Sequence, residues 1–288
     1  MSAPEASEPA LSPVDQPRSA AGSGLLVLID PVARRLDGES VRIARDVLCA
    51  GAPAKVCVPE GPTDFARALA RRGGRRTVVV GDDGALVRTV ALLHRERDLG
   101  ADALALVPVG APSALSLARS LGVAGGAVAA ARAVLDGAVR SHDLLVDDSD
   151  GVVLGGLRIP EALGTDRPAS GGPRVWGACR SLVRTLVPGP GGRGEPPRGQ
   201  RLRVEADGVV LSDLDRPVRD VSVATGGGVA EVVVRSAGRA GPALTARASS
   251  VTVSGPDFRY RADHQVSGPV RSRTWELWAG AWGLTVPR

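Results

Sequence analysis

Short apolar runs alternate with amphipathic segments over the first half of the chain. The apolar runs have the length and composition of buried strands; they are Leu25–Ile29, Ala54–Val58, Arg76–Val80, Leu104–Val107 and Leu144–Val146. Between them, apolar residues recur at helical spacing, which predicts helices at about 39–50, after Thr63 or Asp64, after Gly84, and near 113–121 and 126–136. This alternation predicts an α/β domain over residues 23–146, with a mostly parallel sheet covered on both faces.

The pattern changes after about residue 147. Short β-type segments now follow one another with turn residues between them, which is typical of an antiparallel β-sandwich; they are Val152–Leu154, Arg201–Glu205, Val209–Leu211, Val218–Val223, Ala230–Arg235 and Leu244–Val253. One helix is predicted around Trp176–Leu186, followed by a mobile Gly- and Pro-rich loop at 188–200. The sequence therefore predicts a sandwich domain over 147–288, and a disordered Ala- and Pro-rich tail over 1–22.

Three tryptophans lie close together near the end of the sequence. Trp275, Trp278 and Trp282 are open to two interpretations, a membrane-facing or stacking patch and packing inside the second domain. Packing is favoured, because buried aromatic side chains usually fill cores.

The segment Gly81–Ala85 is the strongest candidate for chemistry. A buried strand ends in Gly-Asp-Asp-Gly and a helix begins at once, so backbone N–H groups converge where the helix carries a partial positive charge. A single turn of this kind is usually an ordinary strand-to-helix connection. However, Asp30 and Gly110 also follow predicted strands, and ligands of parallel sheets bind at the carboxyl ends of strands. The three positions together predict a phosphate site.

Charge and composition narrow the class of partner. The 288-residue chain has a net charge of +5, but only 2% of its residues are aromatic, so nothing favours nucleic-acid binding. A weak attraction to anionic lipid headgroups is compatible with the charge. The three cysteines show no disulfide or metal-site spacing, and no signal-peptide pattern or membrane-span-length apolar run is present. We expect a cytoplasmic protein with, at most, peripheral contact with a membrane.

In their order, these motifs resemble those of bacterial diacylglycerol kinase and sphingosine kinase-like lipid kinases, over about residues 24–287. The family's N-P-x-S/A-G turn corresponds to Asp30–Arg34, and its G-G-D-G-T motif to Gly81–Ala85. Its P-L-G-T motif corresponds to Pro108–Ala111, and its A-R-x-L-G to Ala118–Gly122. The family's closing strand and V-P correspond to the segment that ends at Val286-Pro287. The resemblance implies an NAD kinase/diacylglycerol kinase-like α/β domain followed by an antiparallel β-sandwich.

The same resemblance implies a set of functional residues. The nucleotide would be bound at the matched turns, by Asp30, Pro31, Gly81, Asp82, Asp83, Gly84, Ala85 and Gly110. Asp83 would lie on the metal side, with ATP and Mg²⁺ as the cofactors of an active enzyme. The family's D-G-E motif, which supplies the base for the lipid hydroxyl, corresponds to Asp263-His264-Gln265, so Asp263 and His264 are the candidate catalytic residues.

Several matched positions depart from the family's motifs. The second glycine of G-G-D-G-T is Asp82, its threonine is Ala85, and the asparagine of the first turn is Asp30. The glutamate of D-G-E is Gln265, and the family's N-D pair has no clear equivalent within 114–117. Carboxylates next to a triphosphate add repulsion on the order of 1 kcal/mol or more near a surface. An extra metal ion between Asp30 and Asp82 is disfavoured, because no third ligand stands out nearby.

Three functions follow from this comparison. The first is a divergent lipid kinase that phosphorylates a lipid hydroxyl, and the second is a kinase-like protein that binds a lipid, a nucleotide or a protein without catalysis. A small-molecule or NAD-type kinase is the third, and the sandwich domain favours the lipid branch over it. The substituted motifs favour the non-catalytic function, because phosphoryl transfer depends on positioning and on neutralising charge around the γ-phosphate.

Overall fold

The computed structural model describes residues 24–100, 102–160, 199–237 and 242–288. The predicted tail at 1–22, the predicted helix around 176–186 and nearly all of the predicted loop at 188–200 lie outside these residues.

The first domain is built on parallel strands. These are β1 (Leu25–Ile29), β2 (Ala54–Cys57), β3 (Arg76–Gly81) and β4 (Leu104–Pro108). They lie in the order β2-β1-β3-β4, and all three neighbouring pairs are parallel. Apart from β2, an edge strand with half-buried side chains, the strands are almost wholly buried, which explains their near-continuous apolar runs.

Helices cover both faces of this sheet. They are α1 (Pro31–Leu36), α2 (Gly38–Gly51), α3 (Pro62–Ala70), α4 (Asp83–Arg95), α5 (Ser116–Ser120) and α6 (Ala127–Asp136). Separate clusters of buried apolar side chains lie on the two sides, one under α3, α4 and α5 and the other under α1, α2 and α6. The single helix predicted near 113–121 is a 3-10 turn, Pro112–Leu115, followed by the short α5.

The fifth strand of the sequence prediction is longer than its apolar run. Strand β5 (Ala138–Asp147) begins well before Leu144, and its first residues are exposed or half-buried. The sequence pattern missed this part because it is held by antiparallel pairing with the last strand of the chain rather than by apolar burial.

The second domain is made of antiparallel strands around a core of its own. They are β6 (Val152–Val153), β7 (Gly156–Ile159), β8 (Arg203–Ala206), β9 (Val209–Ser212), β10 (Val218–Gly226), β11 (Val229–Ser236), β12 (Leu244–Ala248), β13 (Ser250–Ala262) and β14 (Gln265–Val286). The single strand predicted at 244–253 is two strands, because β12 pairs with β11 whereas β13 pairs with β14 and β8.

Strand β14 connects the two domains. Its first half pairs with β13, its second half pairs with β5, and its end at Leu284 and Thr285 lies parallel to β4. The end of the chain therefore completes the sheet of the first domain, and the boundary predicted at 146–147 does not separate the strands into two independent sheets.

The three tryptophans of β14 have different environments. Trp275 is buried in the core of the second domain, as the sequence predicted. Trp282 is also buried, but in the core of the first domain, because β14 has crossed into that sheet. Trp278, between them, is 46% exposed, so packing inside the second domain is wrong for this side chain.

Among the residues described, no helix has the length and apolar character needed to span a lipid bilayer.

Candidate functional site

The turn between β3 and α4 forms the centre of the site. Strand β3 ends at Gly81, and Asp82 is the N-cap residue of α4. Its carboxylate accepts a hydrogen bond from the backbone N–H of Ala85 at 3.0 Å. This bond satisfies one of the free donors of the first helical turn and places a negative charge at the positive end of the helix.

Two glycines allow the loops around this turn to approach closely. A Cβ atom built on Gly81 would lie 2.8 Å from the Cβ of Ala85 and 3.0 Å from the Cβ of Asp30. One built on Gly110 would lie 3.2 Å from the Cβ of Asp82. The structure thus brings together the three strand ends that the sequence singled out.

Asp30 is buried and paired. It is the N-cap of α1, with Pro31 in the first turn, and its carboxylate accepts a hydrogen bond from the backbone N–H of Val32 at 2.7 Å. The guanidinium of Arg88 donates to its other oxygen, and lies 5.3 Å from the centroid of the Phe65 ring. The pair neutralises a carboxylate that is only 3% exposed.

Asp83 is buried at the start of α4. Its two carboxylate oxygens accept hydrogen bonds from the backbone N–H groups of Leu117 and Ala118, both at 2.8 Å, and the Ser116 hydroxyl lies 3.5 Å away. The side chain therefore caps the first turn of α5. Each oxygen already has a backbone partner.

Asp263 lies on the turn between β13 and β14, in the left-handed region of backbone conformation, with φ of 49°. Its carboxylate accepts hydrogen bonds from the backbone N–H groups of Leu154, Gly155 and Gly156, at 2.8 to 3.2 Å. Burial raises the pKa of this carboxyl above its ordinary value, although the three N–H groups act in the opposite direction.

His264 extends from the second domain towards the start of α4. A Cβ atom built on Gly84 would lie 3.2 Å from the Nε2 atom of His264 and equally far from Oδ1 of Asp82. The histidine is exposed, so it lies at the opening of the site rather than inside it. Together with Asp263 it forms the side of the site that the second domain supplies.

A cleft of about 310 Å³ lies between the two domains at this point. It is lined by Asp83, Ser116, Leu117, Ser120, Gly155, Gly156, Asp263 and His264. Both candidate catalytic residues and the candidate metal ligand therefore line one cavity, and the nucleotide-binding positions of the sequence analysis lie around the adjoining turn.

The residues present do not fit a Mg²⁺-bound nucleotide. Asp82 places a carboxylate at the positive end of α4, where a phosphate would otherwise bind, and the buried carboxylate of Asp30 lies beside the same turn. Within the described ranges, no group of three or more histidine, cysteine or acidic side chains is arranged to hold a metal ion.

Sequence reasoning missed two features of the site. Arg88 is separated from Asp30 by 58 positions, so no local pattern shows that the two pair. Asp83, which caps α5, is 34 positions from Leu117 and 35 positions from Ala118, so local patterns do not show this contact either. The sequence pattern predicts helix α4, which carries Arg88, but it does not predict that Arg88 pairs with Asp30.

Comparison with known proteins adds information on the fold. No protein-family model matches the chain, and no curated protein matches its sequence. A crystal structure from Bacillus anthracis str. Sterne, described as that of a "putative diacylglycerol kinase", superposes with a TM-score of 0.68 at 15% identity, over 91% of this chain and 96% of the other. Another from the same organism, described as that of "a diacylglycerol kinases", has a TM-score of 0.66 at 16% identity, with the same coverage. The chain thus has the two-domain fold of those structures.

Proposed function

We propose that this chain is a diacylglycerol kinase-like protein that no longer transfers phosphate and that binds a lipid or a similar small molecule between its two domains. The observation that carries the proposal is the state of the acidic side chains. Asp30, Asp82, Asp83 and Asp263 all accept hydrogen bonds from the protein itself. Asp30 and Asp82 carry a negative charge where the matched motifs have neutral residues, and Asp83 and Asp263 hold backbone N–H groups of neighbouring segments in place.

Asp82 supports the proposal most directly. The N-terminus of a helix binds a phosphate through free N–H groups and the positive end of the helix dipole. Here the N–H of Ala85 and part of that positive potential are satisfied by a carboxylate of the same turn. A nucleotide phosphate at this position would have to displace the cap and would meet its negative charge.

A second cavity supports an amphiphilic ligand. It has a volume of about 380 Å³ and lies between α4 and the strands of the second domain. Its apolar lining includes Val87, Leu92 and Val153, and its polar lining includes Tyr260 and Gln265. Four charged side chains also line it, namely Arg88, Arg95, Asp147 and Asp150. Gln265 stands where the family's motif has an acidic residue, and its amide cannot take up a proton as a carboxylate does. A ligand with an apolar part and a polar, charged headgroup suits such a lining.

A lipid kinase with altered catalytic groups is the second candidate. It is favoured by the fold shared with the Bacillus anthracis structures and by the position of His264 next to Gly84. Histidine is a suitable proton acceptor near neutral pH. A phosphate-transfer assay from Mg·ATP to lipids separates the two candidates, because the proposal expects no transfer and the alternative expects transfer that depends on Asp83.

A further inference from the structure

A further groove lies at the opposite end of α4 from the cleft of about 310 Å³. Its volume is about 720 Å³, and we call it the Trp278 groove; the side chains that matter here are Trp278, His94, Arg95, Arg97 and Asp150. Arg95 lies twelve positions after Asp83 on α4, which corresponds to a rise of about 18 Å along the helix axis. None of the family motifs lies in this groove.

Trp278 offers an exposed aromatic surface with a fixed position. Its ring is 46% exposed, whereas Trp275 and Trp282 on the same strand are buried. The buried ring of His94 packs edge-on against it, with the centroids 5.1 Å apart and the planes at 67°. An anchored, exposed tryptophan is a surface on which a planar ring can stack.

Two cations next to this surface have no partner among the described residues. Arg95 and Arg97 both line the groove and are exposed. The carboxylates of their neighbours, Glu96 and Asp98, pair instead with the buried Arg72. Arg95 and Arg97 are therefore available for an anion, and guanidinium groups are well suited to phosphate oxygens.

The groove also contains an acceptor. Asp150 is largely exposed, and its Oδ1 atom lies 3.6 Å from Nε2 of His94, beyond hydrogen-bond distance. A carboxylate disfavours a ligand that is purely anionic, but it accepts hydrogen bonds from sugar hydroxyls or from an amino group. The groove thus combines a stacking surface, two guanidinium groups and one carboxylate.

We propose that the Trp278 groove binds a nucleoside monophosphate. This class of ligand has a planar base for Trp278, ribose hydroxyls for Asp150 and a phosphate for Arg95 and Arg97. The volume lies within the range of about 300–1,000 Å³ typical of small-molecule sites. The proposal does not depend on whether the protein transfers phosphate, because it uses none of the residues of the cleft at the other end of α4. Arg95 and Asp150 also line the cavity of about 380 Å³, so Trp278 and Arg97 are the residues that distinguish the Trp278 groove from it.

The test is calorimetric titration of the full chain, without Mg²⁺, with AMP, GMP, CMP and UMP, followed in parallel by tryptophan fluorescence. We expect at least one nucleotide to bind and to quench the fluorescence of Trp278. This fluorescence is the difference between the emission of the wild type and that of Trp278→Phe. Trp278→Ala, and Arg95→Gln combined with Arg97→Gln, should each weaken binding at least tenfold. The matched control is Arg219→Gln, an exposed arginine on β10, which should leave binding unchanged; circular dichroism verifies that each variant is folded.

Fragments of a nucleotide show which part of the ligand the groove recognises. Inorganic phosphate, ribose 5-phosphate and adenosine should each bind more weakly than the complete nucleotide. The proposal is overturned if none of the four nucleotides binds at millimolar concentration, or if binding is unaffected in folded Trp278→Ala. It is also overturned if inorganic phosphate binds as tightly as the nucleotides, which would indicate a simple anion site. Binding to phosphatidylglycerol vesicles alone would overturn it too, and would indicate a membrane contact.

Discussion

The carboxylate of Asp82 accepts a hydrogen bond from the backbone N–H of Ala85 at 3.0 Å, so the first turn of α4 carries its own anion. In the motif that this turn resembles, the residue at position 82 is glycine, which has no side chain to place there. Aspartate at position 82, in place of that glycine, therefore caps the helix and repels a bound phosphate. Stability of the turn and binding of a phosphate compete for the same N–H group.

This competition leads to a prediction about nucleotide affinity. Replacing Asp82→Gly and Asp30→Asn together should strengthen Mg·ATP binding at least tenfold, because it removes two negative charges and releases Arg88. Glycine at an N-cap costs only a few tenths of a kcal/mol, so the helix should persist. Ala85 is left unchanged because it is fully buried against Gly81, and a larger side chain would overpack the turn.

Calorimetry in a Trp278→Ala background measures this effect without a contribution from the Trp278 groove. The parent protein should bind Mg·ATP weakly or not at all. Low-micromolar binding by the parent, about −8 kcal/mol, would contradict the proposed role of the two carboxylates.

Asp83 leads to a prediction about stability. Asp83→Ala would leave the N–H groups of Leu117 and Ala118 buried without their acceptors, each at a cost of about 1–3 kcal/mol. The free energy of unfolding, measured with urea, should fall by about 3 kcal/mol. Asp82→Ala is the matched control, since it removes only the cap of α4 and should cost about 1 kcal/mol. Equal losses in the two variants would show that Asp83 does not hold α5 in place.

Asp263 leads to a prediction about pH. Because burial raises its pKa above the ordinary 3.8, the folded protein binds the proton more tightly than the unfolded chain does. The contribution of Asp263 to stability is therefore complete below about pH 3.8 and is lost as the pH rises through the folded-state pKa. The free energy of unfolding of the wild type, relative to Asp263→Asn, should decrease over this interval.

Urea unfolding of both proteins at a series of pH values measures the difference. Asp215→Asn, an exposed carboxylate on a turn of the second domain, serves as the control and should show no such trend. A wild type that gains stability relative to Asp263→Asn as the pH rises would mean that the hydrogen bonds, and not burial, dominate the pKa.

Much of the fold could be predicted from local patterns. Strand β1 has the predicted bounds, and β2, β3 and β4 differ from the prediction by one residue at one end. These strands are short apolar runs, and their composition alone indicates that they are buried. The path of β14 could not be predicted in this way, because its 22 residues join two domains and each part is stabilised by a different partner.

The site shows the same division. The turn at Gly81–Ala85 was recognisable because its glycines and acidic residues are adjacent in sequence. What each carboxylate does depends on distant partners, as in the bond between Asp263 and the N–H of Gly155, 108 positions away. The departures from the motifs are visible in the sequence. The hydrogen bonds that backbone N–H groups donate to Asp83 and Asp263 are not, because the donors are distant in sequence.

The transfer of labelled phosphate from Mg·ATP to diacylglycerol, sphingosine or a mixed lipid extract tests the central claim most directly. We predict no transfer by the wild type, because Asp30 and Asp82 add negative charge where a phosphate would bind and Gln265 replaces the acidic residue of the motif. Transfer that is also present in a mock preparation without the protein would come from a contaminant and would leave the prediction intact. Transfer by the wild type that the mock preparation lacks would contradict the account. Loss of that transfer in a folded Asp83→Asn variant would assign it to this site, and loss in His264→Ala would identify the histidine as the base.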